Sequence, residues 1–208
     1  MTAWRGWSEP GVHQVTTMPL SHRVHRRIIT RHIVTLPRLN KANWQVTTEM
    51  SRLGFWTTDL DEVGVYLVPA SLNCYGWHDG HISILCVSGA QLYDLWHGYH
   101  TRLTDVLRHE WAHAVAHTFP DFIGTDRFVR CFGGDHEYPG AVACYDPAHH
   151  VTAYAAAMPC EDFAEVFHHY LRHKGRLPVR LAAKKPIVKK WAFIDRMAQR
   201  IAAGKFRF

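Results

Sequence analysis

The sequence predicts a compact, single-domain α+β fold: a small mixed sheet packed on a central helix, followed by a mostly helical C-terminal half. Three observations carry this expectation. Leu103, Val106, Leu107, Trp111, Ala114 and Val115 recur at helical spacing and give the segment Leu103–His117 one apolar stripe. His81–Val87 (HISILCV) alternates apolar and polar side chains as a half-buried strand does. A chain of 208 residues with 47% hydrophobic content is large enough to bury one sizeable core.

The elements follow in order along the chain. Met1–Ser21 mixes Gly, Pro, Trp and Thr without periodicity, and Arg23–Arg31 is basic. Residues 1–32 therefore read as an extended basic arm ahead of a domain spanning 33–208. Leu39–Leu53 reads as a helix with Gly54 at its end. Val63–Val68 and Ser71–Tyr75 read as strands, and Trp77-His78-Asp79-Gly80 as the turn into His81–Val87. That arrangement lets Cys74 and Cys86 face each other across a hairpin. The central helix takes Thr101 or Thr104 as its cap and stops at Pro120. Phe132–Tyr145 is Gly-rich and reads as a long loop, a cleft rim or lid. Pro159 opens a second helix carrying Phe163, Val166, Phe167 and Tyr170, and Pro186–Ala203 forms a last one closed by Gly204.

Within the central helix stands His109-Glu110-Trp111-Ala112-His113. Residues i and i+4 share a helix face, so both imidazoles point at one spot and can chelate Zn²⁺. Glu110 lies where it reaches a water on that metal. This is the pattern of zinc hydrolases. A catalytic zinc site takes three protein ligands, so a third must come from elsewhere. His117 lies about 12 Å from His109 along the axis and cannot share the ion. The position six residues after His113 is Phe119, which is no ligand. The helix opened by Pro159 carries Glu161 and Glu165 one turn apart on one face. One of them can bind metal while the other holds the outer nitrogen of a ligating imidazole. Asp162 is rotated by about 100° and is the poorer partner.

H-E-x-x-H followed some tens of residues later by a glutamate-bearing helix resembles the gluzincins. The stretch YAAAMPCEDFAEVF (Tyr154–Phe167) is similar to the zinc-site segment of anthrax-lethal-factor-like peptidases and of many uncharacterised bacterial zinc-binding metallopeptidases. As in that family, a tyrosine, Tyr154, stands seven residues before Glu161, and Phe163-Ala164-Glu165 follows it. The resemblance implies a zincin-like fold and a zinc metalloendopeptidase. It implies one Zn²⁺ per chain on His109, His113 and Glu161, with Glu110 as general base. Tyr154 becomes the oxyanion stabiliser and Glu165 the carboxylate behind a ligating imidazole. It further implies that His81, Ile82, Ser83, Ile84 and Leu85 form the edge strand along which a peptide or protein substrate extends. The matched motifs span about Leu103–Leu171. The resemblance does not extend to the family's large substrate-docking domains, so it implies nothing about substrate choice.

The net charge of +6 and pI near 9.2 favour contact with nucleic acid or acidic proteins. The basic residues concentrate in Arg23–Arg31 and Arg172–Lys190. They leave open a second class of function: a basic nucleic-acid-binding protein in which zinc is structural or absent, or a nucleic-acid-associated protease. Lys184-Lys185 and Lys189-Lys190 read as solvated charge on an exposed face. The five cysteines include no C-x-x-C pair and read as buried thiols, with Cys160 beside Glu161 as an alternative fourth, inhibitory zinc ligand. No run approaches the ~18 apolar residues of a membrane span, and no basic-then-apolar leader opens the chain. A cytoplasmic protein, unless exported by another route, is the expectation.

Overall fold

Leu39, Ala42, Val46 and Met50 recur every three or four residues and form the buried face of the first helix, α1 (Leu36–Arg52). The computed structural model describes residues 33–69, 75–78, 80–86, 102–136 and 144–208. The basic arm 1–32, the strand body 71–74 with Cys74, Val87, the Thr101 cap and the middle of the 132–145 loop lie outside these. α1 begins three residues earlier than its apolar spacing suggests, because Pro37 sits in the first turn, where its missing N–H costs nothing.

Among the described residues, three strands form one mixed sheet in the order β1-β3-β2. β1 (Gly64–Val68) runs parallel to β3 (His81–Leu85), from Gly64 opposite His81 to Val68 opposite Leu85. β2 (Gly76–His78) runs antiparallel to β3, with His78 opposite His81 and Gly76 opposite Ser83. Trp77 and His78, expected in the turn, therefore belong to the strand. His78 pairs with His81 within a short stretch of chain, and Gly80 adopts φ +87°, a left-handed conformation that glycine takes without strain. This short connection folds β2 onto β3 and corrects the placement of the sheet edge. His81, Ile82, Ser83, Ile84 and Leu85 form the middle strand, paired on both sides, and among the described residues the cleft-side edge is β2. Ile82 to Leu85 are accordingly all buried instead of alternating.

The central helix, α2 (Leu103–Thr118), buries ten residues and borders β2 and β3. Arg102 precedes it without a side-chain cap, so Thr104 does not serve as one. It breaks at Phe119, as Pro120 leads one to expect, and Pro120 opens a further short helix, α3 (Pro120–Ile123). α4 (Asp126–Phe132) follows. The Thr125 hydroxyl caps it by accepting the Phe128 N–H at 3.2 Å, and Gly133 ends it at φ +85°. Phe128 and Phe132 stack on each other and meet Phe163 and Phe193 edge-on or tilted.

α5 (Pro159–Arg172) packs along α2 and is covered by α7 (Lys185–Ala202), with the short α6 (Val179–Ala182) between. Arg108 ties the helices together. Its guanidinium donates to both Glu49 oxygens at 2.7 and 2.9 Å and to Asp105 at 2.6 Å. Lys190, expected on an exposed face, is instead 3% exposed, and its ammonium pairs with Asp162 and the His149 carbonyl. The apolar face of α7 forces this, since Ile187, Trp191 and Ile194 must face α5 and carry Lys190 inward with them. At the C-terminal end, Phe206 stacks on Phe119 while Phe208 meets Phe122 and Phe193 edge-on. The α+β expectation is met: a small mixed sheet beside α2, and helices through the C-terminal half. No helix among the described residues is long and apolar enough to cross a membrane.

Candidate metal centre

One turn of α2 separates His109 from His113, and their Nε2 atoms approach to 3.2 Å. Glu161 enters from the first turn of α5. Its Oε2 lies 3.0 Å from His109 Nε2 and 3.7 Å from His113 Nε2. Three atoms that can each offer a lone pair thus converge, and this grouping could hold a metal ion. Glu161 Oε2 is buried and has no well-directed hydrogen-bond donor, so a cation suits the space it faces.

The outer nitrogen of His109 fixes its tautomer. Nδ1 lies 2.8 Å from Glu165 Oε1, and a carboxylate only accepts, so Nδ1 carries the hydrogen and Nε2 presents its lone pair to the cluster. Glu165 is fully buried. Its second oxygen accepts the Thr152 hydroxyl at 2.8 Å. Electrostatics agree with a site that demands positive charge. Burial opposes protonation of His109, yet Glu161 and Glu165 beside it raise its pKa well above the ordinary value. Burial likewise opposes charge on Glu161, but the two imidazoles hold its carboxyl far below the usual range. Proton and metal ion compete for the same lone pairs.

Glu110 points toward β2. A Cβ on Gly76 would sit 3.2 Å from Glu110 Oε2, so the glycine leaves the room this carboxylate occupies. Tyr154 sits on a single 3-10 turn, Tyr154–Ala156, with its ring centroid 5.6 Å from that of His109. His109, Glu110, His113, Tyr154 and Glu161 line one cavity of about 520 Å³, whose walls also include Trp77 and His78 from β2 and Met158 ahead of α5.

Other candidates fall outside the cluster. His117 lines the cavity but packs on Trp77 at 5.4 Å between ring centroids. Cys160 also lines it and is not among the grouped ligand atoms. Asp162 turns away to Lys190. A second buried grouping, Glu165, His168 and His169, lies behind the first, but Glu165 spends both oxygens on His109 and Thr152. Sequence reasoning missed Thr152 and Gly76. The only trace of Thr152 is a hydroxyl residue three positions before Ala155, the spacing of a side-chain cap on a turn. Gly76 left no trace, because its partner Glu110 is distant in the chain. No protein family, curated protein or solved structure matches this chain.

Proposed function

We propose that the chain is a zinc-dependent metallopeptidase of gluzincin type, hydrolysing peptide bonds in the cavity between β2, α2 and α5. The convergence of His109 Nε2, His113 Nε2 and Glu161 Oε2 carries this reading. Their separations of 3.0, 3.2 and 3.7 Å bracket the edge of a tetrahedron with 2.0–2.1 Å arms, about 3.3–3.4 Å. Two imidazoles and one carboxylate leave a fourth position open, as catalytic rather than structural zinc sites do. Zinc in this position supplies a Lewis acid and lowers the pKa of a water it holds toward ~7.

The chain's own residues do the rest. Glu110, adjoining the cluster, takes the proton of the attacking water and passes it to the leaving amine. Tyr154 donates its hydroxyl proton in a hydrogen bond to the carbonyl oxygen as that oxygen gains charge. His109 is held in tautomer and plane by Glu165. An extended peptide pairs with β2, whose outer side carries no strand among the described residues.

The test combines metal analysis with digestion of a peptide library. Wild type binds one zinc per chain and cleaves. Glu110→Gln keeps its zinc while cleavage falls about 10²–10⁴-fold. Tyr154→Phe keeps its zinc and loses about 10²–10³ in turnover. Undiminished cleavage in Glu110→Gln, or no zinc binding at neutral pH, overturns the reading.

A further inference from the structure

We propose that Thr152 is a positioning residue that couples the orientation of the metal ligand His109 to the placement of Tyr154. The proposal rests on the metal centre described above and adds a residue that the H-E-x-x-H and glutamate motifs do not contain. Its basis is the use of a single hydroxyl group in two directions. The Thr152 Oγ1 hydrogen goes to Glu165 Oε2 at 2.8 Å, and the same oxygen accepts the Ala155 N–H at 3.2 Å.

The first bond matters because Glu165 is fully buried. A buried carboxylate needs both oxygens satisfied, and here His109 Nδ1 meets one and the Thr152 hydroxyl the other. With both in place the carboxylate plane is fixed, and so is the plane of the imidazole it holds. Without the hydroxyl, Glu165 Oε2 loses this donor, and the hold on the carboxylate plane behind His109 weakens. Partners of this kind orient ligands, and losing one typically costs 10–100-fold in metal affinity.

The second bond acts on the turn that brings Tyr154 to the cavity. Ala155 directly follows Tyr154, and the Thr152 oxygen closes the turn that carries the tyrosine ring toward His109. A displacement of Glu165 is therefore felt by the Tyr154 turn through one atom, and the reverse holds equally. Serine can make both bonds. Valine keeps the shape and makes neither.

The experiment measures zinc affinity by chelator competition, and the visible spectrum of the cobalt-substituted protein, in Thr152→Val, Thr152→Ser, Glu165→Ala and the Thr152→Val/Glu165→Ala double variant. Thermal melts of the metal-free proteins check that each is folded. Thr152→Val should bind zinc 10–100-fold more weakly, with a changed cobalt spectrum, and Thr152→Ser should return to within threefold of wild type. In the Glu165→Ala background, Thr152→Val should add less than threefold, because its partner is already gone. A role confined to capping the turn would give the same loss in both backgrounds. That result overturns the proposal, as does wild-type zinc affinity in folded Thr152→Val. Because affinity is read without turnover, a failure of proteolysis in the wild type counts against the peptidase reading alone and leaves this test intact.

Discussion

Glu161 and Asp162 are chain neighbours with opposite tasks. The helical rotation of about 100° between them sends Glu161 to the two imidazoles and Asp162 to the Lys190 ammonium. Glu161→Ala should leave a folded chain that no longer retains zinc through dialysis. Asp162→Ala should keep one zinc per chain but leave the buried Lys190 ammonium without a carboxylate, facing the His149 carbonyl and the Phe132 ring, costing about 3–5 kcal/mol. Denaturant midpoints with metal content separate the two. A wild-type midpoint in Asp162→Ala would show that the ion pair does not hold α5 to α7. At this scale the sequence was legible where chemistry and helical period coincide. His109 with His113, and Glu161 with Glu165, each share a helix face in one element. Thr152 and Lys190 were not legible, because their roles depend on residues brought near by tertiary packing. A lysine in a basic run reads as solvated until the apolar residues around it are seen to face inward.

The helices announced themselves, and the sheet did not. α1, α2, α5 and α7 carry long apolar periodicities with proline or glycine near their ends, and each lies within a few residues of its expected span. α3 and α4 are too short for periodicity to emerge. Strand order depends on which segments pair, and this left β3 mistaken for an edge. The correction has a functional consequence, because β2 brings Gly76 against Glu110. Gly76 and Gly80 both have positive φ, at +93° and +87°, but a Cβ on Gly80 would meet nothing within 4 Å. Alanine at either position carries similar backbone strain, about 1–2 kcal/mol. Only Gly76→Ala also presses on the Glu110 carboxylate. Gly76→Ala should therefore lose peptide turnover at least tenfold while keeping its zinc, whereas Gly80→Ala should lose stability alone. Steady-state cleavage assays beside thermal melts decide this. Equal turnover in both variants would remove β2 from the placement of Glu110.

Across the whole molecule, a band of buried polar groups runs behind the metal cluster and sets how the fold responds to acid. Asp105 binds Arg108, and His168 and Arg172 lie 3.3 and 3.5 Å from its oxygens. Burial alone would raise the Asp105 carboxyl, but His168, Arg172 and Arg108 bring it down to about 2. His169, beside this group on α5, is lowered to about 3, first by burial and then by the neighbouring His168. Both folded-state values lie below those of the unfolded chain, so in both cases the unfolded chain binds more protons as the pH falls. The stability linked to His169 is complete above about pH 6.5 and is lost as the pH falls toward 3. That linked to Asp105 is complete above about pH 4 and is lost toward 2, about 2 kcal/mol in all by the usual linkage. His109 shifts the opposite way, gaining a proton in the folded, metal-free chain, so the two imidazoles must be separated by design. His169→Phe does this, because both chains compared retain His109. With chelator present, urea midpoints of wild type should fall between pH 6.5 and 4 more steeply than those of His169→Phe. If the two proteins lose stability in parallel across that window, His169 is not kept neutral by its burial.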